Sequence, residues 1–141
     1  MQPAVLDSSI YVSVLRRRDV SVAIERFTAD TLLWLSAVVI EELYAGARER
    51  DWGVVEQWER DFGKAGRILV PNLGDWSYVG KVLRRLADKY DYETIGCGRL
   101  TNDALIAISA ARMGIRVITA NEKDFRKLAE FCSFPWQLAI L

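Results

Sequence analysis

The sequence predicts an α/β protein built on a mainly parallel sheet. Short apolar runs alternate along the chain with longer segments of helical period, as in layered α/β domains. The 141 residues suit one compact unit that buries roughly two thirds of its unfolded surface. With 51% hydrophobic and 27% charged residues, and only 9 Gly and 3 Pro, the composition is that of a globular chain rather than a disordered or fibrous one.

The elements follow in order. Residues 4–6 read as the first strand, and a helix beginning after Asp7 runs towards the arginines at 16–18. Residues 32–35 form the second strand, with a helix starting near Ser36. Val55, Trp58 and Phe62 recur at helical spacing, residues 67–70 make the third strand, and Val79, Val82, Leu83, Leu86 and Tyr90 mark a longer amphipathic helix. The mixed-sign residues opposite those stripes, such as Glu56, Glu59, Lys81 and Arg84, read as solvated surface.

Residues 91–99, with Gly96 and Gly98 around Cys97, read as the least structured piece. They lack the third glycine of a dinucleotide loop and the Lys-Ser/Thr of a Walker loop. A helix from Thr101 is apolar nearly all round, through Leu105, Ile106, Ile108 and Met113, and should lie across the sheet centre. Residues 116–119 form the fourth strand, a helix opens after Asn121, and residues 137–140 form the fifth strand. No repeat or linker divides the chain, so residues 1–141 are expected to form a single domain.

Composition also excludes functions. There is no histidine, so Ser-His-Asp and Cys-His nucleophile pairs, histidine-driven ribonuclease chemistry and histidine metal ligands are ruled out. Cys97 and Cys132 are far apart and lack zinc-ligand spacing. With 19 basic and 19 acidic residues the chain has no general cationic coat for nucleic acid. The longest apolar stretch, 32–40, contains Ser36 and is far shorter than the roughly 20 residues of a membrane span, and no leader precedes it. A soluble, cytoplasmic protein is expected, with carboxylates as its catalytic groups.

Asp7 follows the first strand, Asp103 opens the central helix and Asp124 follows the fourth strand, each beside a predicted helix start. Capping is the simplest role for each, and Asn121 with Asp124 resembles a capping box. Strands of a parallel sheet point the same way, however, so the helices after them begin at one edge, where such sheets bind ligands. Glu42 lies about two turns inside its helix, too deep to cap, with the small residues Ala45 and Gly46 at i+3 and i+4. Glu41 points about 100° away, towards solvent. Carboxylates converging in a crevice repel by about 3 kcal/mol per pair at about 5 Å and an effective dielectric of about 20, so they need protons or cations. An oxygen-only ligand set selects Mg²⁺ or Mn²⁺, and such a site suits phosphodiester hydrolysis by a metal-activated water.

The blocks LDSSI, SAVVIEELYAGA and NDALIAISAARMGIRVITANEKDF, in this order, resemble a PIN domain, and more narrowly the toxins of VapC type. The resemblance runs from Val5 to Phe125. It implies a three-layer α/β/α sandwich, a metal-dependent ribonuclease acting on single-stranded RNA, a homodimer and a cognate antitoxin. Position by position it implies that Asp7, Glu42, Asp103 and Asp124 are the catalytic and metal-holding acids, supported by Ser8, Thr119 and Asn121. Where the family more often carries Asn two residues after the first acid, this chain has Ser9, which also lacks the second Asp of a phosphoaspartate enzyme. The alternative from another class is a noncatalytic PIN module that binds RNA or docks proteins, against which the presence of all four acids argues.

Arg16, Arg17 and Arg18 are candidate RNA-phosphate contacts or dipole-compensating surface. Among the aromatics, Trp52 and Tyr44 are expected at an interface. Five tryptophans in a small chain exceed what one core hides, which also points to a homodimer.

Overall fold

A computed structural model of the chain describes residues 1–17, 25, 29–91 and 99–139. Its sheet contains β1 (Gln2–Leu6), β2 (Thr31–Ser36), β3 (Ile68–Leu69), β4 (Arg116–Thr119) and β5 (Trp136–Leu138). The strand order is β3-β2-β1-β4-β5 and all pairings are parallel. The helices are α1 (Ser8–Arg16), α2 (Ala37–Gly46), α3 (Trp52–Lys64), α4 (Leu73–Tyr90), α5 (Arg99–Arg112) and α6 (Glu122–Ala129). With right-handed crossovers, a chain that runs outward from β1 to β3 and then back past β1 to β5 puts its earlier helices on one face of the sheet and its later helices on the other. Accordingly α2 packs against α1 and α3, while α5 packs against α4 and α6. This is the three-layer α/β/α arrangement.

β1 is central and its Ala4, Val5 and Leu6 are all buried, which is why it reads as a continuous apolar run rather than an alternating one. In register, Val5 stands between Trp34 of β2 and Val117 of β4. Leu105, Ile106 and Ile108 of α5 are buried with Ala104, Ala107 and Ala110, so this helix is core. Met113 falls outside that description: it lies beyond the helix end and is 46% exposed. The turns into β3 and β4 share one device. Gly66 and Gly114 adopt φ of 70° and 69°, and the next amides, Arg67 and Ile115, reach back to the carbonyls of Phe62 and Ala110 at 3.0 and 2.8 Å. A left-handed residue after the helix is what this closure requires, and glycine takes it without a Cβ penalty.

The order of strands reverses between β1 and β4, so the carboxyl ends of these two strands flank the topological switch point. Among the described residues no helix is long and apolar enough to cross a membrane. Arg18, Gly96, Cys97, Gly98 and Ile140, singled out from the sequence, lie outside the described residues.

Candidate active site

Asp7 is the first residue past β1 and stands at the N-cap position of α1, where the amides of Ser9 and Ile10 favour its charged form without closing a full capping hydrogen bond. Its oxygens turn across the switch point instead. Ser9 Oγ donates to Oδ1 at 2.5 Å, and Thr119 Oγ1, at the end of β4, donates to Oδ2 at 2.6 Å. The Asp7 amide donates to the Ile118 carbonyl at 3.0 Å, so the main chain of Asp7 is tied to β4 as well. Only 2% of Asp7 is exposed, and no described Lys or Arg forms an ion pair with it. Burial pushes its carboxyl above the usual value, partly offset by the hydroxyls of Ser9 and Thr119.

Glu42 is half-buried on α2, a helix started by Ser36, whose Oγ accepts from the Val38 amide at 3.1 Å. Burial raises the Glu42 carboxyl too; hydrogen bonds from Asn102 and Ser8 oppose this and the charge of Asp7 reinforces it. The Oε1 atom is buried with no hydrogen-bond partner among the described residues. Two acids thus share the switch-point edge, each held against its own ionisation and neither neutralised by a described cation. A Cβ added at Gly46 would meet nothing within 4 Å, so the helix surface one turn on from Glu42 is open. Glu41 is exposed and accepts from Asn102 Nδ2 at 3.4 Å.

Asp103 is buried, and it sits one turn inside α5 rather than opening it, because the helix begins at Arg99. A first-turn capping role is therefore removed for this acid. It follows Asn102 in sequence, whose amide serves the two glutamates of α2. Asp124 is buried in the first turn of α6. Asn121 caps that helix, accepting from the Asp124 amide at 3.4 Å, and donates from Nδ2 to Asp124 Oδ2 at 3.0 Å. The contact joins two side chains, so it is a variant of the capping box read from the sequence. The Asn121 amide also donates to Thr119 Oγ1 at 2.9 Å, which links Asp124 to Asp7 through two residues.

Asp7 and Glu42 are accordingly brought together, while Asp103 and Asp124 stand on the adjoining helices. Among the described residues no group of three or more His, Cys, Asp or Glu side chains is close enough to hold an ion. Two contributors were not singled out from the sequence. Ser9 stands in the sequence only as a departure from the family pattern, and Asn102 only as the first residue of the block NDALIAISAARMGIRVITANEKDF, although each lies within two residues of an acid.

Away from this edge, Tyr44 Oη donates to Glu59 at 2.8 Å and Trp52 Nε1 donates to the Tyr44 carbonyl at 3.1 Å, with their rings edge to face. Trp58 packs on Tyr11 inside the molecule, and Trp76 is 52% exposed.

A parallel α/β sheet with Asp7 and Glu42 at the carboxyl edge of its switch point, neither paired with a described cation, defines the class: an α/β domain with an acidic crevice where such sheets bind ligands. The model of the PIN domain family matches residues 4–131, and the chain belongs to that family. No curated protein sequence matches it. Among solved structures, the DNA-bound VapBC of Salmonella typhimurium is similar at a TM-score of 0.67 and 19% identity, covering 98% of each chain. VapBC2 of Rickettsia felis, bound to a fragment of promoter DNA, gives 0.64 and 18%, covering 99% of this chain and 100% of that one. VapBC-1 of nontypeable Haemophilus influenzae gives 0.61 and 21%, covering 96% and 97%. At these identities the likeness is one of fold.

Proposed function

We propose that this chain is a Mg²⁺- or Mn²⁺-dependent endoribonuclease that cleaves single-stranded RNA, and that it is the toxin of a cytoplasmic toxin–antitoxin pair. The observation that carries this reading is the pair Asp7 and Glu42: a buried and a half-buried acid at the switch-point edge, the second with a buried oxygen that has no described partner, and no described cation beside them. Uncompensated carboxylates with oxygen-only chemistry fit a hard divalent cation. Asp7, Glu42, Asp103 and Asp124 are the residues that would hold it, with Ser8, Thr119 and Asn121 supporting them. When bound, the ion supplies an activated water and offsets charge at the scissile phosphate.

The chain's own residues do the remaining work. Thr119 and Ser9 fix the rotation of Asp7, and Ser8 and Asn102 favour the charged form of Glu42. Asn121 holds Asp124 on the far side of Thr119. Arg16 and Arg17, exposed at the end of α1, are available to RNA phosphates. A cognate antitoxin would compete at the same edge by placing an Arg or Lys among the carboxylates, because a cation there relieves the same repulsion. Exposed Trp76, Leu73 and Val70 and the Trp52–Tyr44 pair are apolar surface for a homodimer or for that partner.

The test is incubation of the purified, partner-free chain with single-stranded RNA. Cleavage should require Mg²⁺ or Mn²⁺ and stop in EDTA, and light scattering should give twice the mass of the monomer. Cleavage undiminished by EDTA would overturn the metal reading. RNA bound but never cut, with either ion, would favour the noncatalytic module.

A further inference from the structure

We infer that Ser9 is a positioning residue for Asp7, forming with Thr119 a matched pair of hydroxyls that locks the carboxylate in the orientation from which it takes a cation. This rests on the metal-site reading above.

The two hydroxyls are used in the same way. Ser9 Oγ donates to one Asp7 oxygen at 2.5 Å and accepts from the Ala120 amide at 3.3 Å. Thr119 Oγ1 donates to the other oxygen at 2.6 Å and accepts from the Asn121 amide at 2.9 Å. A hydroxyl has one proton, and an amide can only donate to it, so each hydroxyl proton is committed to Asp7. Consecutive amides of the turn after β4 thereby polarise both hydroxyls towards one carboxylate, an arrangement that strengthens each bond in the chain. Asp7 can no longer rotate about its side-chain bonds without breaking a contact on either side. One side of this clamp comes from α1 and the other from β4, so it spans the switch point itself.

Among the described residues the Ser9 hydroxyl meets only Asp7 and the Ala120 amide. It sits in the first turn of α1, but the N-cap position belongs to Asp7, and within a helix serine is a poorer former than alanine. A serine kept only for the helix would be improved by alanine, whereas a serine kept for Asp7 would not. The two roles therefore differ in sign.

The experiment compares Ser9→Thr with Ser9→Val, which match in shape and differ in the hydroxyl, by calorimetric titration of the whole chain with Mn²⁺ and by steady-state RNA cleavage. Ser9→Val should weaken Mn²⁺ binding by about tenfold or more and lower kcat while KM for RNA stays within about twofold, and Ser9→Thr should stay within about threefold of the original on both readouts. Equal losses in the two variants would overturn the proposal, because packing rather than the hydroxyl would then be responsible. Mn²⁺ binding by Ser9→Val equal to that of the unsubstituted chain would overturn it alone, leaving the nuclease reading intact. An unsubstituted chain that takes up no Mn²⁺ would overturn both together.

Discussion

Two aspartates in this molecule are buried almost equally, Asp7 at 2% and Asp75 at 3% exposure, and both stand at the start of a helix. Their surroundings differ completely. Asp75 lies in the first turn of α4, where its carboxylate accepts from the Asn72 amide at 2.9 Å while Asn72 Oδ1 accepts from the Asp75 amide at 2.8 Å, a full capping box. Arg112, at the end of α5, adds its Nε at 3.1 and 3.0 Å from the two oxygens. The charge is neutralised, the helix end is satisfied, and α4 is pinned to α5. Asp7 closes no full capping hydrogen bond and, among the described residues, meets hydroxyls and the amides of its own first turn instead of a cation, beside a glutamate that also lacks one. Burial of an acid is therefore no guide to function by itself. The missing countercharge distinguishes a site built for a ligand from one built for the fold.

Substitutions at the two places should separate most sharply in activity. Asp7→Asn and Glu42→Gln should each lower RNA cleavage by about a hundredfold or more, since each removes a charge that the ion needs. Glu41→Gln, on the exposed side of α2, should leave the rate within about threefold, because among the described residues its carboxylate makes only the contact with Asn102. Equal loss at Glu41, read in the same cleavage assay, would mean that the wrong glutamate has been assigned.

In stability the order reverses. Arg112→Ala strands a buried carboxylate and should cost roughly 2–3 kcal/mol in urea unfolding, somewhat less than for a fully buried pair because the arginine is partly exposed. Mn²⁺ affinity of the folded fraction should be unchanged. A smaller change of opposite sign is expected at the other acid. In EDTA, Glu42→Gln relieves repulsion from Asp7 and should raise stability by about 1 kcal/mol, a gain that shrinks when saturating Mn²⁺ stabilises the original chain. Paired melting curves with and without metal check this, and a fall in EDTA would show that Glu42 is tied into the fold as Asp75 is.

The smallest effect is on pH dependence. Asp7 and Glu42 are both raised above their usual values of 3.8 and 4.5, so the folded state holds their protons to higher pH than the unfolded chain does. Their contribution to stability is full below those usual values and is lost as pH rises through the raised ones. The metal-free chain should therefore lose melting temperature relative to Glu42→Gln as pH rises from about 4 towards about 7. A difference that stays constant over that range would mean that Glu42 ionises normally.

The local elements were legible because each depends on neighbours in sequence. All five strands, the Ser36 cap and the stripe of α4 follow from apolar runs and spacing. The alternation of runs also implied a parallel sheet, and hence one edge for the acids that follow strands. The pattern could not say which acids at that edge are paired. Asp103 reads from the sequence as a helix start yet lies a turn inside its helix, and Asp75, not singled out from the sequence, is held by an arginine 37 residues away. Likewise Ser9 and Thr119 are far apart in sequence and become partners of one carboxylate only because β4 lies next to β1 in the sheet. Periodicity and capping are properties of a few consecutive residues, so sequence determines them. Countercharge and hydroxyl clamping are contacts between distant segments, so only the packed sheet decides them.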